Sequence, residues 1–157
     1  MARMWRRPAA VVRGLLAAGK REDRALAFLL AGCLLVFVGR LPVIQRAAVL
    51  NGGDFVRDAS YSFFALMMLA PLIFYGIAAL GWGLARLAGQ GTTAYGGRLA
   101  LFWAYLASAP AGLLYGLALG FTGPGPAVTI VGVVWLGALL VFWAVGLRVS
   151  GQEASHA

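Results

Sequence analysis

The residues that could carry out chemistry are few and lie far apart in the chain. There is one histidine, His156 in the C-terminal tail, and one cysteine, Cys33, inside an apolar stretch. One residue of each kind gives the chain no zinc or haem ligand set of its own, so we expect no metal and no other cofactor. Asp54 and Asp58 lie four residues apart with Arg57 between them, which is typical of a solvated turn. Since nothing in so short a loop would move their pKa values apart, we predict no catalytic residue and no enzymatic activity.

A glycine-rich segment, GQGTTAYGGR at residues 89–98, weakly resembles a phosphate-binding loop. It lacks the Gly-Lys-Ser/Thr ending that would hold a nucleotide and its metal ion. We therefore expect a flexible turn there, with Tyr95 near the lipid head groups.

The composition indicates that lipid rather than water is the main solvent. Apolar residues make up 62% of the chain, charged residues make up 11%, and the mean hydropathy is +0.86. A soluble domain is about 25% charged. Residues 59–85 and 99–147 contain no Asp, Glu, Lys or Arg. At about 20 residues for each span, the first tract is long enough for one membrane helix and the second for two.

The two helices of the second tract are separated by Gly123-Pro124-Gly125-Pro126. Two prolines end a helix, and non-helical backbone is not tolerated in hydrocarbon, so this turn must lie at a membrane surface. A further span precedes the others, but its uncharged part ends at Arg40, and a buried or re-entrant helix is an alternative there. We therefore predict an all-α, polytopic helical membrane protein with four transmembrane helices and an N-terminal basic amphipathic helix. The predicted segments are 1–24 (basic), 25–44, 61–85, 99–122 and 127–147 (spans), and 148–157 (tail).

Basic residues are concentrated on one side of this arrangement. Most of them precede the first span, and Arg86, Arg98 and Arg148 fall on the same side, which places both termini in the cytoplasm by the positive-inside rule. A tryptophan lies four or five residues inward of each of these three arginines, as in an aromatic belt at the interface. The residues expected to face lipid as anchors are Trp5, Arg6, Arg7, Arg13, Trp82, Arg86, Arg98, Trp103, Trp143 and Arg148.

The N-terminal segment has helical periodicity. Trp5, Pro8, Val12, Leu15 and Leu16 recur at helical spacing, and basic residues, from Arg3 to Arg24, share the opposite face. This pattern predicts a basic amphipathic helix lying on anionic lipid, and a solvated positive flank is the alternative. No base-stacking or groove-reading pattern accompanies the charge, so nucleic acid is not an expected partner.

Gly112, Gly116 and Gly120 lie along one face of the third span. Without side chains they let a second helix approach closely, which drives helix association in lipid. Because the short turn makes the fourth span a neighbour, we expect that helix, with Gly132 and Gly137, to pack on this face. A homo-oligomer formed through the same face is the alternative.

Pro71 and Pro110 lie near the centres of the second and third spans, and each is expected to kink its helix. Paired interrupted helices line the binding sites of some transporters. Such a site also needs polar or charged groups at mid-membrane, and here these are limited to a few hydroxyl groups, including those of Ser108 and Tyr105. Packing kinks are therefore preferred over a small transporter or channel.

Two segments, GKREDRALAFLLAGCLLVF and GGRLALFWAYLASAP…GFTGPGPA, resemble bacterial members of the Yip (Ypt-interacting protein) family in hydropathy, proline placement and charged lead-in. The resemblance covers most of the chain from Lys20 onward. It implies a multi-span membrane protein, and eukaryotic members engage Rab-type GTPases and influence membrane shape. This chain departs from them with four spans where five are common, and no GTPase-contact residue carries over. Arginine outnumbers lysine twelve to one, which suits a GC-rich bacterial genome.

Together these patterns predict a non-enzymatic, multi-pass protein of the bacterial inner membrane that binds partners or shapes the bilayer. A small transporter or channel and an accessory subunit of a larger membrane complex are the alternatives. The expected partners are the lipid bilayer, anionic lipids, and a second copy of the chain or other membrane proteins.

Overall fold

The structure, a computed structural model, describes residues 8–19, 21–87, 89 and 93–155. Within these ranges the chain forms five helices and no strand. The helices are α1 (Pro8–Ala17), α2 (Glu22–Asn51), α3 (Phe55–Leu87), α4 (Ala94–Thr122) and α5 (Pro126–Ser155). Helices α2 to α5 are each long and apolar enough to cross a membrane. The predicted fold class, four such helices after a short N-terminal one, is confirmed.

The first long helix extends well beyond its predicted bounds. α2 has 30 residues and is therefore about 45 Å long. It continues past Arg40 to Asn51 and is followed by Gly52, whose φ of 66° is the left-handed conformation that closes many helices. The hydrocarbon core of a bilayer is about 30 Å thick, so α2 is long enough to cross it. The predicted span, residues 25–44, would have been only about 30 Å long.

Arginines flank the long helices at two levels. Along α2, Arg21 and Arg46 are about 38 Å apart, at about 1.5 Å for each residue. Along α3, Arg57 and Arg86 are about 44 Å apart on the same scale. A bilayer with its head groups is about 40–45 Å thick. The two arginine levels are therefore spaced like the two head-group layers, and the apolar middles of the helices lie between them.

The central helix of the bundle is α4. Seventeen of its 29 residues are buried, and it packs along both α2 and α5. Its two largest buried side chains meet different neighbours. Phe102 lies in one cluster with Leu29 and Cys33 of α2, whereas Trp103 meets Phe142 of α5 with ring centroids 5.7 Å apart. Because α3 carries the chain back between them, α2 and α4 run in the same direction.

Polar contacts hold the beginnings of α2 and α4 together. The backbone N–H of Arg21 donates a hydrogen bond to the Tyr95 hydroxyl at 3.2 Å, and Glu22 forms an ion pair with Arg98. Tyr95 is only 6% exposed, so it packs inside the bundle and not in a flexible turn as expected. The reason is that α4 already begins at Ala94, where the Thr93 side chain accepts a hydrogen bond from a first-turn N–H and caps the helix.

Candidate functional site

Two of the three aligned glycines of α4 pack against α2. A Cβ added to Gly116 would lie 2.6 Å from the carbonyl carbon of Gly39, and one added to Gly120 would lie 2.8 Å from the carbonyl carbon of Pro42. The prediction that α5 is the partner of this face is therefore wrong for these two positions. The physical reason is the parallel course of α2 and α4, which brings their backbones together although more than 70 residues separate them in sequence.

The remaining predicted glycines divide between packing and open positions. An added Cβ on Gly112 would lie 2.6 Å from the Trp135 ring, and one on Gly132 would lie 2.9 Å from the Tyr115 ring, so both are at the interface of α4 and α5. A Cβ on Gly137 would meet nothing within 4 Å. The prediction that Gly137 packs against α4 is therefore wrong, because it lies on a face of α5 that no other described residue covers.

Several close-packed glycines were not predicted. Gly32 and Gly39 of α2 face Tyr105 and the Leu113 backbone of α4, with an added Cβ at 2.7 Å and 3.0 Å. The signal in the sequence was a small residue every seven positions, at Ala25, Gly32 and Gly39. A heptad of this kind keeps one face towards a neighbouring helix. It marked α2 as the second half of the interface.

The two prolines that were predicted to kink their helices, Pro71 and Pro110, differ in their surroundings, and a third, Pro42, lies inside α2. Five residues, Ala65–Leu69, are π-helical, and only Ala70 separates them from Pro71. A π-helical turn accompanies many helix kinks, and proline, which lacks an N–H, is another common cause. Around Pro110 the α-helix is continuous. The kinks themselves stay a prediction, and only Pro71 is accompanied by a change of helix type.

The tryptophan anchors are not equivalent. The guanidinium carbon of Arg86 lies 5.6 Å from the centre of the Trp82 ring, an arrangement typical of a cation–π contact. Trp143 is half-buried over Gly81. Trp103 is 0% exposed, so the prediction that it faces lipid is wrong. Trp103 follows Arg98 by five residues, which is the spacing of an interfacial anchor, but residues of α1 and α5 cover its side chain.

The arginine anchors have distinct environments. Arg13, Arg86 and Arg148 are exposed, as expected of groups in the head-group region. Arg98 is paired with Glu22 and its side chain is 30% exposed. The predicted anchors Trp5, Arg6 and Arg7 lie outside the described residues.

Helix α1 lies on the bundle with its apolar face inward. Val12 is 1% exposed and belongs to a cluster with Trp103, Phe142 and Val149. The apolar face predicted to enter lipid is thus occupied by protein. Arg24, predicted to share the basic face of this helix, instead donates a hydrogen bond from Nη2 to the carbonyl at the end of α1, that of Leu15, at 2.6 Å. Lys20 lies outside the described residues.

An apolar groove runs between α3 and α5, with α4 as its floor. Its volume is about 590 Å³. The residues that line it are Phe74, Tyr105, Tyr115, Thr129, Gly132, Val133, Trp135, Leu136 and Leu139. Beyond Leu139, one turn further along α5, Trp143 packs over Gly81 of α3.

The hydroxyl groups at mid-membrane bear on the transporter alternative. Ser108 is 0% exposed and its Oγ donates a hydrogen bond to the Tyr105 carbonyl of its own helix at 3.0 Å, so the groove does not reach it. Tyr105 does line the groove, through a ring whose centroid is 4.5 Å from that of Phe74. Among the described residues, no group of three His, Cys, Asp or Glu could hold a metal ion.

Comparison with protein-family models, with curated proteins and with solved structures finds no match to this chain. The assignment to a family therefore stays the resemblance drawn from the sequence, and the geometry of the helices is what carries the functional argument.

Proposed function

We propose that this chain is a non-enzymatic, multi-pass protein of the bacterial inner membrane, similar to the Yip family, that binds a transmembrane helix of a partner protein through α3. The observation that carries this proposal is the unequal burial of the long helices. In its most apolar window α3 has 6% of its residues buried, against 11% in α5, 33% in α2 and 44% in α4. α3 and α5 are thus the two edge helices, and α3 is the least buried of the four.

The free surface of α3 has a regular form. Large side chains that are each at least 59% exposed recur every three or four residues along one face, which we call the α3 stripe. Gly76 occupies one position of this stripe, and a Cβ added there would meet nothing within 4 Å. Helices associate in lipid by close packing of such faces, because apolar side chains gain little from leaving lipid tails. The exposed side chains of this stripe are Tyr61, Phe64, Met68, Leu72, Leu80 and Leu84.

The proposed orientation places both termini in the cytoplasm. It is supported by the excess of basic residues at the level where α2 begins, compared with Arg46 and Arg57 at the opposite level. On this orientation the turn at residues 123–126 faces the periplasm. Anionic lipid at the cytoplasmic surface would then meet exposed Arg13.

Photo-crosslinking in living cells tests the partner-binding proposal. A photoreactive amino acid replaces Leu72 on the α3 stripe in one variant and Leu140 on the outward face of α5 in the other, both exposed leucines. We expect a discrete crosslinked protein, identified by mass spectrometry, from the Leu72 position alone. A partner of a different sequence would indicate an accessory subunit, and a crosslink to the same chain a homo-oligomer. Crosslinks to lipid alone, or the same products from both positions, would contradict the proposal.

A small transporter is the second candidate, because the groove reaches Tyr105. The test is whether water fills the groove. With Cys33 replaced by alanine, a single cysteine is introduced as Thr129→Cys or Leu139→Cys. A water-soluble maleimide that modifies both positions would support a transport path. Modification at the first position alone would show that the inner part of the groove is dry, and would leave partner binding as the function.

A further inference from the structure

A crevice between α3 and α5 lies at the end of the bundle where α3 ends. On the α5 side it is lined by Trp143 and, one turn further along the helix, by Leu147 and Arg148. On the α3 side it is lined by Gly81 and, one turn further along, by Ala85. Trp143 lies over Gly81, so these two residues mark the inner part of the crevice. Arg148 lies nearer the end of the bundle, and no other lining residue carries a charge.

The crevice lies at the depth of the lipid head groups and the first carbons of the acyl chains. Along α5, Trp143 is about 7.5 Å from Arg148, at about 1.5 Å for each residue. A bilayer is about 40–45 Å thick with its head groups and has a hydrocarbon core of about 30 Å, so each head-group layer is about 5–8 Å deep. Arg148, at the end of the apolar tract, can therefore reach the lipid phosphates, whereas Trp143 lies near the border of the hydrocarbon.

The charge of Arg148 has no partner within the protein. Arg148 is exposed, and in the described part of the chain no carboxylate or other acceptor lies within hydrogen-bonding distance of its guanidinium. Two other arginines at this end of the bundle differ from it, because Arg86 lies over the Trp82 ring and Arg98 is paired with Glu22. Arg148 is thus free to bind a ligand of negative charge.

An unpaired arginine beside apolar walls favours an anionic amphiphile. A guanidinium binds phosphate oxygens through several N–H donors held in a fixed geometry. No carboxylate lines the crevice, so a head group that also carries a cation, such as phosphocholine, would find no opposite charge there. A free phosphate ion gains nothing from the apolar surface of Ala144 and Leu147, whereas a phospholipid covers it with its glycerol and first methylene groups. Basic pockets between membrane helices bind lipid head groups in this way.

We propose that the crevice between α3 and α5 binds one anionic phospholipid, with its phosphate on Arg148 and the beginning of an acyl chain against Trp143. The lipid belongs to the leaflet on the side where α3 ends and α4 begins. The site shares Leu84 with the α3 stripe but does not rest on a partner helix. Lipid binding is measured on the purified protein alone, so its failure is distinguishable from failure of the crosslinking experiment.

Native mass spectrometry of the full-length, delipidated protein in detergent tests the site, because it counts the lipids bound to each chain. Phosphatidylglycerol and phosphatidylcholine with the same acyl chains are titrated in parallel. We expect one phosphatidylglycerol to bind at about tenfold lower concentration than phosphatidylcholine, the factor that one charge-assisted hydrogen bond supplies. Equal binding of the two lipids, or gradual uptake of phosphatidylglycerol without a distinct first lipid, would overturn the proposal.

Two arginine variants with the same change of charge locate the binding. Arg148→Gln should weaken the binding of the first phosphatidylglycerol by about tenfold, because it removes the group that holds the phosphate. Arg86→Gln removes a charge at the same end of the bundle but outside the lining of the crevice, and should change the affinity by less than about twofold, since exposed charges at a distance are screened. Equal weakening by both variants would show attraction to the overall positive charge and would contradict a site at Arg148.

A second pair of variants tests the apolar part of the crevice and keeps every charge. Ala144→Phe places a larger side chain in the crevice, whereas Ala79→Phe makes the same change at an exposed position of α3 that does not line it. We expect Ala144→Phe to weaken the binding of the first phosphatidylglycerol by about tenfold and Ala79→Phe to leave it unchanged. The same affinity in both variants would count against the crevice as the place where the lipid binds.

Discussion

Replacement of Gly116 by alanine should destabilise the bundle by forcing α2 away from α4. The new Cβ would lie 2.6 Å from the carbonyl carbon of Gly39 and 3.1 Å from its Cα. Two carbon atoms pack best at about 3.5–4.0 Å. Both opposing atoms belong to the backbone, so no side-chain rotation relieves the clash. The two helices must separate by about 1 Å, the shortfall between these distances.

The expected cost follows from the size of that separation. A gap of about 0.5–1 Å forfeits a quarter to a half of each dispersion contact it opens, and overpacked cores lose about 1–3 kcal/mol. We expect about 2–3 kcal/mol here, since the strain falls on two helix backbones and extends to Gly120 and Pro42 one turn away. At about 2–4 °C for each kcal/mol, Tm should fall by about 4–12 °C.

Thermal unfolding followed by intrinsic tryptophan fluorescence in a mild detergent measures this change. Gly137→Ala is the matched control, since its Cβ would meet nothing within 4 Å and alanine is favoured over glycine in a helix by up to about 1 kcal/mol. Its Tm should equal or exceed that of wild type. The reasoning is refuted if Gly116→Ala unfolds at the wild-type temperature, or if the two variants lose stability equally.

Three further changes probe other contacts. Val12→Asp should release α1 from the bundle and make α1 sensitive to trypsin, because an unpaired carboxylate is not stable at a site that is 1% exposed. Ala10→Asp, at an exposed position of the same helix, should leave α1 resistant to trypsin. Equal digestion of the two variants would argue against docking of α1 on the bundle. Asp54→Ala should lower the free energy of unfolding by about 0.5–2 kcal/mol, since Oδ1 of Asp54 accepts hydrogen bonds from two first-turn N–H groups of α3. Asp54→Asn should retain most of this stability, and thermal unfolding of both variants measures the difference. Glu22→Gln should lower the free energy of unfolding by at most about 1 kcal/mol, because the ion pair with Arg98 is partly exposed. The difference from wild type should shrink in high salt, which screens the ion pair. A difference that does not depend on salt would assign the effect to packing instead.

The number and approximate place of the long helices could be predicted from the distribution of charge. The two uncharged tracts and the proline-rich turn at residues 123–126 each correspond to a feature of the structure. These are properties of local sequence, because a span is defined by its own hydropathy and a turn by its own prolines. The helix ends were less predictable. α2 continues to Asn51 and α5 continues to Ser155, beyond the apolar tracts. Helical hydrogen bonding continues past the point where the hydropathy falls, so hydropathy does not mark these ends.

The identity of the packing partners could not be predicted from adjacency in sequence. The short turn suggested that α5 would cover the glycines of α4, but Gly116 and Gly120 face α2, which α3 brings alongside in parallel. The heptad of small residues in α2 contained this information. In the same way, Trp103 has the spacing of an interfacial anchor, and its burial depends on where α1 docks, which no local pattern specifies.

In the proposed topology the four long helices cross the bilayer, with residues 123–126 on the side opposite the N-terminal helix. Cysteine labelling measures this directly, because replacement of Cys33 by alanine removes the single native cysteine. A single cysteine is then introduced, either as Gly125→Cys, where an added Cβ would meet nothing within 4 Å, or as Arg13→Cys, at an exposed position. In intact cells a membrane-impermeant maleimide should label Gly125→Cys at once and Arg13→Cys only after the membrane is permeabilised. Equal labelling of both positions in intact cells, or recovery of the chain in the soluble fraction, would contradict the account.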